Sequence, residues 1–292
     1  MLAFSVPAYA EQYFYTEKFV DTVSATPRVH AASLIEADNR LFATWYAGTR
    51  EGAKDVAIYF SSYDKVKARW SKDRKLFDRE SVQKSLGRYI KKLGNPVLGV
   101  DRNGKLWIYF VSVSAGGWSG SAINYSSSTN LGESWSPPKR LVTSPFFNVS
   151  TLVRMPPINL VDGNIGLPVY HELLGKFGEL LRITPGGKVV AKHRISWGAS
   201  TLQPSLVSLN GRTMLAFLRN AGHTLPGVLF SRSENNGETW GVVKTTGLPS
   251  FDSSVAAIID GKNRILLVFN NTTTNRNILS LAVSETAEPA GE

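Results

Sequence analysis

Three arginines, Arg28, Arg219 and Arg276, occupy polar spots in copies of one recurring apolar pattern. The plainest copy is Gln203–Arg219, QPSLVSLNGRTMLAFLR, which reads as a strand, an Asn210-Gly211 turn and a second strand. A carboxamide opens it and a guanidinium closes it. A guanidinium offers paired N–H donors that match the two oxygens of a carboxylate. Lysine offers a point charge and no fork. Three arginines converging on one axis would hold a carboxylate. His30 and His171 also stand at the ends of inner strands, in a chain with only 4 histidines. Each fits a contact to a substrate hydroxyl, a general base or a structural role. Glu172 beside His171 could bond a hydroxyl-rich side chain. No spacing of ligand-type residues demands a metal, and no cofactor is expected.

The elements that must position these groups are hairpins. Five segments share a plan of apolar strand, turn and apolar-aromatic strand: His30–Tyr46, Asn95–Val111, Pro156–Tyr170, Gln203–Arg219 and Asp252–Asn271. Their turns carry Asp38-Asn39, Asn103-Gly104, Asp162-Gly163, Asn210-Gly211 and Asp260-Gly261. Their starts lie 47 to 65 residues apart, about one four-stranded blade each. Between them runs a second repeat, S-x-N-x-G-x-[S/T]-W, at Ser128–Trp135 and Ser233–Trp240. A looser relative runs from Ser62-Tyr63-Asp64 to Trp70. In these loops Asn, Ser and Thr side chains can bond the backbone, Gly supplies a left-handed residue and Trp plugs between strands. Ser81–Leu93 has apolar residues at helical spacing and is expected to form a helix over one face.

Composition limits the partners. The chain has 292 residues, with 42% hydrophobic and 19% charged, enough for one sizeable all-β unit. Net charge is +10, which favours anionic partners. The basic residues are scattered, with local clusters at 65–79 and 88–92, so a nucleic-acid stripe is not expected. There are 0 cysteines, which excludes disulfides, thiolate metal sites and cysteine nucleophiles. The apolar start ends in Ala8-Tyr9-Ala10 before Glu11. It reads as the remnant of a secretory signal over residues 1–10 or as an ordinary first strand. The first reading places the protein in the periplasm or outside the cell, the second in the cytoplasm. Residues 285–292 are expected to be a disordered tail. No apolar run is long enough for a spanning helix.

The S-x-N-x-G-x-[S/T]-W loops resemble the Asp box of sialidases and their BNR-repeat relatives, with Asn at the Asp position. The resemblance implies an all-β sialidase-like β-propeller over residues 11–284. The family plan has six blades; five repeats are recognisable, and the last blade is expected to be incomplete. Gln12–Phe19 could supply an outer strand that closes the ring. By resemblance Arg28 is the arginine that opens the fold, although Val29-His30 stand where the family has Ile-Pro. Arg219 is then the second arginine and Arg276 the third. Gln203 falls where the family usually has a Glu that polarises a tyrosine nucleophile, and an amide cannot accept that proton. The loop Ala47–Asp55 resembles the one that presents the acid/base. Asp55 is its nearest match or a structural residue starting the next strand, with Glu51 in reserve and Arg50 as the loop arginine. The family's nucleophile is a tyrosine in the last blade, and no Tyr follows Tyr170 here. The resemblance thus implies an exo-glycosidase, or a subunit of one, acting on an acidic glycan or glycolipid with a terminal sialic-acid-like or Kdo-like sugar. A second subunit would complete the propeller. The alternative is a non-catalytic propeller that binds acidic glycans.

Overall fold

A computed structural model describes residues 4–5, 18–20, 26–146 and 148–284. The expected tail, most of the expected leader and most of 12–19 lie outside these residues, while Phe4–Ser5 forms a strand. The structure is five antiparallel sheets. Sheet 1 holds Arg28–Ala37, Arg40–Gly48, Ala57–Asp64 and Arg69–Trp70, with Arg74–Phe77 also on the third strand. Sheet 2 holds Lys92–Val100, Leu106–Val113, Ser121–Ser128 and Lys139–Arg140. The main strands of sheet 3 are Ile165–His171, Phe177–Ile183 and Val189–Arg194. Sheet 4 holds Thr201–Ser208, Met214–Asn220, Leu229–Ser233 and Lys244–Thr245. Sheet 5 holds Ala256–Ile259, Ile265–Asn270 and Leu279–Ser284, with Phe4–Ser5 added at its outer edge. Sheets 1 and 2 belong to one compact unit, and sheets 4 and 5 with most of sheet 3 belong to another. No sixth sheet occurs among the described residues.

Each expected hairpin is present, and the turn chemistry explains its register. Asp38 and Asn39 take φ of 47° and 55°, the left-handed pair a two-residue hairpin turn needs. Gly104, Gly163 and Gly211 supply φ of 76°, 83° and 80° in three others. In the fifth turn Asn263, not Gly261, is left-handed, with φ 58°. Near the start of several inner hairpins one non-glycine residue is also left-handed: Ala31, Asn95, Gln203 and Asp252. In sheets 1, 2 and 4 this residue lies in a β-bulge of the first strand. A bulge re-aims the side chains beside it.

The second strands of sheets 2 and 4 are apolar and buried on both faces. Such continuous burial is what sheets stacked on either side require. Sheets 1 and 2 share a core built on Phe42, Ile58, Phe60, Leu98 and Phe110. Sheets 4 and 5 share another built on Leu215, Phe217, Ala257, Leu267 and Phe269. Sheet 5 departs from this. Its second strand alternates, and Ile258, Val268, Leu279 and Leu281 on one face are exposed.

The two Asp-box loops close in the same way. Ser128 Oγ accepts from Gly132 N at 2.9 Å and Asn130 Nδ2 donates to Ser134 Oγ at 2.9 Å. Trp135 Nε1 donates to Gly132 O at 3.1 Å. Ser233, Asn235, Gly237, Thr239 and Trp240 repeat these bonds at 2.9–3.0 Å. An arginine from the preceding sheet then clasps each loop: Arg74 donates to Gly132 O, and Arg182 to Asn236 O.

The helix is shorter than the apolar spacing predicts. It spans Arg79–Leu86, starts on an Asp78–Ser81 capping box and stops at Gly87, φ 61°. Ile90 and Leu93 are buried, but as core residues entering the first strand of sheet 2. No helix among the described residues is long and apolar enough to cross a membrane.

Candidate functional site

Sheets 4 and 5 bring two of the three arginines to one residue. Arg219 stands next to the end of the second strand of sheet 4, and Gln203 lies in the bulge of the first, so the hairpin sets them side by side. Arg219 Nη1 donates to Gln203 Oε1 at 3.4 Å, and its Nε donates to Asp252 Oδ1 at 2.8 Å. Arg276, in the loop after the second strand of sheet 5, donates through Nη2 to the backbone oxygen of Asp252. Arg219 is mostly buried, whereas half of the Asp252 side chain is exposed. Desolvation opposes ionisation of Asp252. The Arg219 hydrogen bond and the charges of Arg219, Arg276 and Lys176 outweigh it and hold the carboxyl below its ordinary value. Gln203 and Asp252 are left-handed, with φ of 51° and 36°. Non-glycine residues in this region cost about 1–2 kcal/mol each and collect where a side chain must be aimed.

His171 ends Ile165–His171 of sheet 3, much as Arg219 stands near the end of Met214–Asn220 in sheet 4. Its Nε2 lies 2.6 Å from Glu179 Oε2, and its ring stacks on Phe177 at 4.6 Å. The other neighbours of Phe177 extend the stack: Arg194 lies 3.8 Å from the Phe177 ring and 4.7 Å from that of Trp197. Burial alone would raise the Glu179 pKa. The His171 bond and charge, with Lys192 and Arg194, lower it on balance. Glu172 is half-buried on the same edge. A carboxyl whose folded pKa is depressed stabilises the fold above its unfolded value, 4.5, and loses that contribution as pH falls. Acid unfolding of Glu179→Gln, followed by circular dichroism below pH 4.5, should therefore show a shallower fall in stability than wild type. An unchanged acid limb would contradict this.

The remaining expected residues belong to the unit of sheets 1 and 2. Arg28 starts the first strand and is exposed, and His30 stacks on Tyr46 at 5.5 Å. Asp55 clamps its own loop: Oδ2 accepts from Thr49 N at 2.9 Å and Oδ1 from Thr49 Oγ1 at 3.0 Å. Desolvation is outweighed by these bonds and by Arg50, so the Asp55 carboxyl sits below its ordinary value. Both carboxylate oxygens of Asp55 are thus acceptors from Thr49. Arg50 and Glu51 are exposed on the same loop.

Asp252, Lys176, Glu179 and Arg194 are additional to the residues expected from sequence. Asp252 had one visible signal: it opens the fifth repeat as Gln203 opens the fourth. Among the described residues no group of three or more His, Cys, Asp or Glu could hold a metal ion.

A family model described as a BNR repeat-like domain matches residues 39–289. The chain belongs to the BNR repeat-like family. Among solved structures, the Hadza microbial sialidase Hz136 matches with TM-score 0.73 at 15% identity, covering 88% of this chain and 56% of that one. The intramolecular trans-sialidase of Ruminococcus gnavus matches with TM-score 0.71 at 13% identity, covering 91% and 82%. A mutant of the NanB sialidase of Streptococcus pneumoniae matches with TM-score 0.69 at 14% identity, covering 89% and 60%. The BNR chain thus spans little more than half the length of Hz136. At these identities the likeness is one of fold: a sialidase-like β-propeller, here of five blades. No curated protein sequence matches the chain. The described residues form five sheets, one for each repeat recognisable in the sequence.

Proposed function

We propose that this BNR propeller holds the carboxylate of a terminal keto-sugar acid, sialic-acid-like or Kdo-like, and acts as an exo-glycosidase or as one chain of one. The observation that carries the reading is the meeting of Arg219 and Arg276 on Asp252. Two guanidiniums from adjacent sheets are held ready by groups that a ligand carboxylate could join or displace. The R. gnavus neighbour is recorded in complex with oseltamivir carboxylate, a ligand whose name carries the same group.

In this reading a second polypeptide supplies the tyrosine nucleophile. What supports it is the open face of sheet 5. Ile258, Val268, Leu279 and Leu281 are apolar, as on faces that another sheet covers, yet they are exposed. The partner that fits is a β-sheet with an apolar face. Gln203 favours a second reading, an acidic-glycan-binding propeller without turnover, because its amide orients Arg219 and cannot take a proton. Turnover assays on sialosides and Kdo-terminated glycans separate the two. The chain alone should bind but not turn over, and adding a Tyr-bearing partner chain should give hydrolysis. Turnover by the isolated chain would contradict the two-chain account.

A further inference from the structure

Three loops of this chain start from the same bond, and one of them is open. Ser126 Oγ donates to Ser136 O at 2.6 Å, Ser231 Oγ to Gly241 O at 2.8 Å, and Ser61 Oγ to Ser71 O at 2.9 Å. Counting from these pairs, Trp70 stands where the closed loops have Trp135 and Trp240. Lys65, Lys67 and Arg69 stand where one closed loop has Asn130, Gly132 and Ser134. Three of the residues that close that loop are thus replaced by cations, and Tyr63 stands in place of Ser128. Lys65 is drawn away to Glu36 and Asn39. The indole N–H of Trp70 finds no carbonyl among the described residues, whereas those of Trp135 and Trp240 do. The left-handed residue is Ala68, φ 50°.

A cavity of about 350 Å³ lies at this loop, lined by Tyr63, Lys67, Arg69 and Trp70 together with Arg40 from the neighbouring strand. Its charged and phenolic acceptors are already engaged. Tyr63 Oη takes a hydrogen bond from Lys18 Nζ at 2.9 Å. Asp64 Oδ1 accepts from Val66 N at 2.9 Å and Lys67 N at 3.0 Å, and Oδ2 faces Lys67 Nζ at 3.6 Å. The side chains of Arg40, Arg69 and Trp70 make no hydrogen bond to another described residue. The lining therefore offers donors and positive charge with little left to accept, which suits an anion. The volume exceeds that of a bare oxyanion and falls in the range of small-molecule pockets. The half-buried Trp70 adds an apolar face for a ring.

We infer that this opened loop is a second binding site, for a sugar-sized molecule carrying an oxyanion. It lies at the opposite strand ends of sheet 1 from Arg28 and Asp55, since the loop joins the end of Ala57–Asp64 to Arg69–Trp70. It does not depend on the carboxylate clamp.

The test is calorimetric titration of the full chain in an Arg219→Ala background, with glucose 6-phosphate, glucuronate, glucose and inorganic phosphate as probes. The anionic sugars should bind and glucose should not. Arg40→Gln with Arg69→Gln should weaken the anionic sugars at least tenfold. Trp70→Phe should weaken them several-fold while leaving inorganic phosphate unchanged. A thermal melt within a few degrees of wild type shows that each variant is folded, and a Lys75→Gln variant outside the cavity should bind as wild type. Failure of both anionic sugars to bind overturns the proposal. So does binding unchanged in the double arginine variant, or inorganic phosphate bound as tightly as glucose 6-phosphate, the mark of a simple anion spot.

Discussion

Replacing Arg219 by alanine is expected to weaken binding of a free keto-sugar acid by roughly 30-fold or more. Truncating one partner of a desolvated, hydrogen-bonded charge pair costs about 2 kcal/mol at the low end. Arg219 is the member of the clamp with both a side-chain carboxylate and a side-chain amide to fix its plane. Its fork is thus pre-oriented, which lowers the cost of ordering it on the ligand. Arg219→Lys should recover little, because an ammonium at the same place cannot make the paired bonds. Arg276→Ala should weaken binding less, since Arg276 is more exposed and its recorded bond is to a backbone oxygen. The measurement is calorimetric titration with N-acetylneuraminic acid and Kdo. Equal affinity in wild type and Arg219→Ala would remove Arg219 from the site. On the proposed reading the loss is in affinity, with the melting temperature little changed, because the Asp252 side chain left behind is half exposed.

The second large effect is on stability. Gly132→Ala is expected to cost about 2–5 kcal/mol, the sum of a left-handed alanine and a steric overlap. Gly132 has φ +82°, and a Cβ there would stand 2.4 Å from the Phe60 ring. Phe60 is 5% exposed and packs edge-on against Trp135, so it has little room to move. The comparison is Gly104→Ala, at φ +76° with no atom within 4 Å of the added carbon. It bears the backbone cost alone, about 1–2 kcal/mol. Urea unfolding of both variants checks this. Similar midpoints for the two would show that the Asp-box glycine is needed for its dihedral and not for its closeness to sheet 1. A loss near the upper figure is a large share of the 5–15 kcal/mol that holds a typical domain folded.

The parts of this molecule that were legible in advance are those set by neighbours in sequence. Asn210-Gly211 and Asp38-Asn39 dictate their turns, and Ser128–Trp135 carries all the partners that close its own loop. The same locality misled at Ser81–Leu93. Ile90 and Leu93 repeat at helical spacing, but Gly87 ends the helix, and both residues serve a strand core. Asp252 was hidden because its role comes from a left-handed backbone and from arginines 24 and 33 residues away. Asp55 shows the reverse. Its place in the loop was visible, whereas its two bonds to Thr49 depend on how that loop folds back. Gln203 drew attention as an amide where the resemblance implies a glutamate. In the structure it is the hydrogen-bond acceptor for Arg219.

The central claim is that the arginines of sheets 4 and 5 recognise a carboxylate. The most direct measurement is a paired titration of the full chain with N-acetylneuraminic acid and its methyl ester, and with Kdo and its ester. The esters keep the sugar ring and remove the charge. At least one free acid should bind, and its ester should bind tenfold or more weakly. Binding of an acid and its ester with equal affinity, or of neither acid by a chain that melts cooperatively, would contradict the account.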